Sequence, residues 1–182
     1  MRTLWSSHCL TTLVLIASVS ISTARIGEAT DGSAVTQAQA DSIMTVYASA
    51  RNTPDLDRLD QIYHPDVVVH DCSAPGDIRG LDSLKSYYLA SHAGIPDFQI
   101  TIDDTFLSSD YLIVRWTASG THRGSLRGLP PTEKQVNFSG VTIDLLVNGK
   151  IAEEWVYFNV LDLMQQLGFT LTPPSVANES EK

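Results

Sequence analysis

The apolar residues of this chain change period near residue 97, and that change limits the folds open to it more than any other feature. Before it they recur at helical spacing: Ala40, Ile43, Met44 and Tyr47 in one segment, Leu56, Leu59 and Ile62 in a second, and Leu81, Leu84, Tyr87, Tyr88 and Leu89 in a third. After it they alternate. Phe98, Ile100 and Ile102 begin the pattern, and runs rich in β-branched and aromatic residues follow at Tyr111 to Thr121, Val136 to Val147 and Ile151 to Phe158. Asn148-Gly149, between the last two runs, is the strongest hairpin signal, because both central positions of a two-residue turn need positive φ.

Punctuation residues set the boundaries. Thr36 and Gln39 read as a capping box that starts the first helix, which ends near Asn52. Pro54 fits the first turn of a second helix, and His64-Pro65 is expected to stop it. Val67 to His70 reads as a short strand, Ser73 to Gly76 as a loop, and Leu161 to Leu167 as a closing helix capped by Gly168. Helices gathered ahead of long strands predict an α+β fold: a cone-shaped, curved antiparallel sheet with the N-terminal helices packed on its concave face. Such a cone encloses an apolar cavity, the default place for a small molecule.

The first residues read differently. Arg2, an apolar run from Leu10 to Ile21 and Ser22-Thr23-Ala24 have the form of a secretory signal peptide cleaved after Ala24. A run of about twelve residues is short for a membrane span, which needs roughly twenty. It also lacks the periodicity of an N-terminal core helix. The expected organisation is a signal peptide at 1–24, a flexible leader at 25–35, one domain at 36–170 and a disordered tail at 171–182, in a secreted or periplasmic protein with no membrane attachment after signal removal. Cys9 leaves with the signal. Cys72 then stands alone, so no intramolecular disulfide is expected, and it reads as a small buried apolar residue. His64, His70, His92 and His122 are scattered without metal-ligand spacing. A net charge of -9 argues against nucleic acid as a partner.

Several segments occur together in a fixed order: Ile78-Arg79-Gly80, His92 to Asp97, Val114 to Ala118 running into Gly120 to Gly124, Gly128 to Thr132, Gly149 to Trp155, and Gln166-Leu167-Gly168. In that order and spacing they resemble the SnoaL-like polyketide cyclase family, also called ester cyclases, over about residues 40–169. The resemblance implies the cone-shaped α+β barrel of the nuclear transport factor two superfamily. It also implies an intramolecular aldol cyclisation of polyketide esters with no metal or organic cofactor. In the family, an aspartate between the Gly-Lys-Ile segment and the Gln-Leu-Gly helix moves the proton. Here Glu154-Trp155-Val156-Tyr157-Phe158-Asn159 fills that stretch without an aspartate, and Val156 or Asn159 takes the matching position.

The reaction needs a base beside a carbonyl, an acid for the new alkoxide, and donors for the enolate. One carboxylate in an apolar cavity can serve as both base and acid, because desolvation raises its pKa. Glu154 shares strand parity with Val156 and Phe158, and reads either as that carboxylate or as a solvated residue beside Glu153. His122 reads as a general base or as a loop residue holding the hairpin. Alternation sends His70 and Asp71 to opposite faces, so one of them enters the cavity or both cap the turn. Trp116, Trp155, Tyr157 and Asn159 complete the candidate substrate-binding set. His92 ends a helix, where a cation complements the dipole. Arg115 is expected to pair with Asp103 or Asp144 on the outer face. Two functions stand: a cofactor-free cyclase, or related lyase or isomerase, acting on an apolar carbonyl compound; and a non-catalytic secreted binding module. A homodimer through the sheet is compatible with both.

Overall fold

The computed structural model describes residues 35–172. The signal segment, most of the leader and most of the tail lie outside the described residues. Helix α1 (Gln37–Asn52) begins on the expected capping box: the Gln39 side chain accepts from the Thr36 amide at 2.8 Å, and the Gln39 amide donates to the Thr36 hydroxyl at 3.3 Å. The second expected helix is only a 3₁₀ turn, Leu56–Gln61. It runs straight into strand β1 (Tyr63–Asp71), so His64-Pro65 lies inside a strand and does not end a helix. The β1 register shifts between Tyr63 and Val68. Pro65, which has no N–H to donate, is tolerated in that irregularity.

Strand β2 (Ile78–Arg79) pairs with Val68 and Val69 of β1 and was not anticipated, since two residues carry no period. Helix α2 (Leu81–Gly94), strands β3 (Gln99–Ser108), β4 (Tyr111–Thr121), β5 (Gln135–Val147) and β6 (Lys150–Phe158), and helix α3 (Val160–Gln166) follow. The hairpin turn between β5 and β6 has φ of 50° at Asn148 and 74° at Gly149, as the dipeptide predicts.

The six strands run in the order β2-β1-β6-β5-β4-β3. All neighbours are antiparallel except β1 and β6, which are parallel. The sheet is therefore mixed where an antiparallel one was expected, and it stays open, with β2 and β3 as edges, where the resemblance implied a cone-shaped barrel. Alternation along a strand is the same in either direction, so the parallel pair leaves no trace in the sequence pattern.

The inner face carries Leu112, Val114, Trp116 and Ala118 of β4, and α1 and α2 lay Ile43, Met44, Leu84 and Tyr88 against it. Gly140 of β5 is the register partner of Trp116, and a side chain there would collide with the indole. The outer face carries exposed Phe106, Tyr111, Val141 and Tyr157. Arg115 lies on that face and donates through Nε to Asp104 at 2.8 Å, with Asp103 at 3.6 Å. Asp144, the other candidate partner, is buried on the inner side. Cys72 is exposed, not the buried residue expected, because it follows β1 into a loop.

Candidate active site

Helices α1, α2 and α3 and the inner face of the sheet surround a cavity of about 360 Å³. Most of its wall is apolar, with Ile95, Phe98, Ile100, Trp116, Phe138 and Phe158 prominent. Polar side chains gather at two places on that wall.

The first is built by β1. The parallel pairing sets Asp71 directly across from Val156, and both residues line the cavity. Asp71 Oδ1 accepts from the Ser73 amide at 2.8 Å and from its hydroxyl at 2.6 Å, which closes a turn on the carboxylate. The Ser73 hydroxyl lies 3.4 Å from that of Tyr87. Arg127, from the loop after β4, donates to the Ser73 carbonyl and the Tyr87 hydroxyl and packs 4.8 Å from the Tyr87 ring. Burial and then the Asp71 charge push the Tyr87 hydroxyl up, so it keeps its proton and remains a donor.

The second place is the side chain of Arg51, from the last turn of α1. Its guanidinium lies 3.6 Å from the centre of the Tyr88 ring and 4.8 Å from that of Phe98.

A separate group lies under the cavity floor. Glu154 and Asp144 are register partners on β6 and β5, and both are buried. The Tyr63 hydroxyl donates to Glu154. Burial pushes Glu154 up to about 7, against the pull of the Tyr63 hydrogen bond and the Arg51 charge. Burial and the Glu154 charge hold Asp144 well above the carboxylate range. The pair therefore retains at least one proton at neutral pH. Space beside it amounts to about 10 Å³, the room of about one water. Tyr47, Trp116 and Thr142 line both this space and the large cavity and so separate the two. The Trp116 indole donates to the Thr142 hydroxyl at 2.8 Å and closes part of that floor.

Among the residues singled out from the sequence, Asp71 and Trp116 reach the cavity wall. Glu154 points inward, the first of the two readings its parity left open, but one layer too deep to touch a ligand in the cavity. His122 is buried past the end of β4, with Nδ1 3.0 Å from the Thr132 hydroxyl, and does not line the cavity. It lies ten residues along the chain from Leu112, the register partner of Asp144, which is on the order of 30 Å of strand from the Glu154 layer. The expected Glu154–His122 pair is thus not brought together.

His70 faces outward. Its ring nitrogens lie 2.8 Å from Asp77 and 2.9 Å from Glu153, and it stacks on Trp155. Trp155 and Tyr157 have the parity opposite to Val156 and lie on the outer side, away from the cavity. Asn159 caps α3 by accepting from the Asp162 amide at 3.0 Å, so it is not on the wall either. His92 is no helix-end cation: burial and the nearby Arg51 charge push its pKa down, and it packs edge-on to Phe98.

Sequence reading missed Ser73, Tyr87, Arg127 and Arg51 as cavity residues. Only Arg51 left a signal, since it continues the apolar stripe of Met44 and Tyr47 on α1 with a charge.

An open curved sheet with helices over a ligand-sized cavity is the architecture of ketosteroid isomerase-like folds. A protein of that fold from Catenulispora acidiphila DSM 44928, solved with trimethylamine, superposes with a TM-score of 0.62 at 16% identity, over 72% of this chain and 97% of its own. The SnoaL-like polyketide cyclase family model matches residues 41–167, and the chain belongs to that family. TsrD from Streptomyces laurentii is similar at 25% identity and a TM-score of 0.68, covering 74% of this chain and 98% of its own. IdmH from Streptomyces antibioticus is similar at 25% identity and a TM-score of 0.63, covering 72% and 99%. No curated protein matches the chain.

Proposed function

We propose that the protein binds a small, mostly apolar carbonyl compound in the 360 Å³ cavity and closes a ring in it by acid–base transfer through Asp71, without a cofactor. The observation that carries this reading is the β1–β6 register. Val156, one of the two positions that the resemblance matches to the family's aspartate, is apolar, and a carboxylate stands directly across from it on the neighbouring strand, on the same wall.

The Asp71 carboxylate takes a proton from carbon next to a carbonyl. The electron pair forms a carbon–carbon bond to a second carbonyl of the same molecule. The new alkoxide then takes the proton back from Asp71, so atoms and charge balance and the enzyme is regenerated. The Tyr87 hydroxyl, held by Arg127, donates to the enolate oxygen while charge resides there. The apolar wall keeps water from competing for the proton.

Glu154 and His122 take no direct part in this proposal, because neither lines the cavity. One observation favours the second reading, a binding module: Val156 and Asn159 carry no acid at the family's position. Titration with aromatic polyketide esters, with ring closure followed by absorbance, separates the two. Turnover supports the cyclase. Saturable binding without turnover leaves the binding module, and absence of binding contradicts both.

A further inference from the structure

Arg51 is the most unusual residue in the cavity. Its exposure is 7%, so more than nine-tenths of it is buried, and it lies on the cavity wall. Nε and one terminal nitrogen have no hydrogen-bond partner, and no ion pair reaches the guanidinium among the described residues. Removing a cation from water without an anion is strongly unfavourable. The faces of Tyr88 and Phe98 offset part of that cost, but a ring face does not accept the in-plane N–H groups.

The candidates for a partner inside the protein are few. The Glu154 charge is felt by Arg51, yet its carboxylate is held by the Tyr63 hydroxyl and lies under the floor. Asp71 is bonded to Ser73 on the other polar part of the wall. Arg127, the second guanidinium on the wall, already donates to Ser73 and Tyr87. Of the two guanidinium groups on the wall, Arg51 is the one that keeps unpartnered donors.

Resting on the cavity reading above, we infer that Arg51 is a ligand anchor, and that the compound taken up is an anion: an apolar ring system bearing a carboxylate. A planar carboxylate accepts two parallel N–H bonds from a guanidinium fork, and each of the two unpartnered nitrogens forms one arm of such a fork with the second terminal nitrogen. The ring system then fills the apolar wall between Arg51 and Asp71.

The test compares 2-naphthoate with methyl 2-naphthoate, which share a ring system and differ in charge, by titration calorimetry at pH 7.5. The wild type is expected to bind the acid about 10- to 100-fold tighter than the ester, the range of a charge-assisted hydrogen bond. Arg51→Gln is expected to bind the ester as the wild type does and to lose the acid preference. Arg51→Lys keeps a charge without the flat pair of donors and is expected to retain only part of it. Equal binding of acid and ester by the wild type, which needs no variant to fold, would overturn the anchor and leave the cavity reading intact. A preference that survives Arg51→Gln but falls in Arg127→Gln would also overturn it. Binding of neither compound contradicts the cavity reading and the anchor together.

Discussion

Asp71→Asn is expected to bind an aromatic polyketide ester within about threefold of the wild type and to close its ring 10²- to 10⁴-fold more slowly, the range of a lost general base. The substitution is close to isosteric. An asparagine oxygen can still accept from the Ser73 amide and hydroxyl, so the turn that places the side chain survives. What disappears is the ability to hold a proton. Glu154→Gln, in contrast, changes a group one layer beneath the cavity and is expected to alter the rate by less than about tenfold. Parallel rate and affinity measurements on the two variants check this. Full activity in Asp71→Asn, or a larger loss in Glu154→Gln, would reverse the assignment.

The second large effect is on stability. The folded protein is expected to be less stable at pH 8 than at pH 5 by at least about 2 kcal/mol, with the buried Glu154–Asp144 pair as the source. Its pKa rises from the ordinary 4.5 to about 7 on burial. Between those values the native state holds a proton that the unfolded chain releases, so the Glu154 contribution falls as pH rises across the window and levels above it. Asp144 is raised by the same burial and acts in the same direction. His70 does too. Glu153 and Asp77 hold its cation above the ordinary pKa, a contribution present at low pH and lost as pH rises. Its exposure to solvent keeps that contribution small. His92, pushed down by burial, works the other way below its ordinary pKa. Urea unfolding at the two pH values measures the difference. Glu154→Gln is expected to remove part of it and Glu154→Gln with Asp144→Asn most of it, and a wild-type curve that is flat or rises with pH would contradict the buried-acid account.

The fold was largely legible because its signals are local. The capping box at Thr36, the turn at Asn148-Gly149 and the β4 run from Tyr111 to Thr121 each depend on neighbours in the chain, and each forms where the residues indicate. The pairing of β1 with β6 joins residues more than 80 positions apart, and no local pattern encodes it. That one long-range fact also decided how much of the site could be read. Parity grouped Glu154 with Val156 and Phe158, but parity gives a face, not a depth, and cannot separate a floor from the layer beneath it. Asp71 was a candidate, yet its position opposite Val156 depends on the parallel register. Arg127 reaches the cavity from a loop turn where its own φ is 51°, a placement that residue types alone do not reveal.

The central claim is that Asp71 moves a proton next to a carbonyl held in the cavity, and it can be measured without the natural substrate. 2-Tetralone, an apolar bicyclic ketone, exchanges the protons beside its carbonyl for deuterium slowly in buffered D₂O, and proton NMR follows the loss of signal. The wild type is expected to speed this exchange well above the buffer rate, and Asp71→Asn is expected to bind the ketone and return exchange to the buffer rate. A wild type that binds 2-tetralone without accelerating exchange, or an Asp71→Asn protein that accelerates it equally, would contradict the claim.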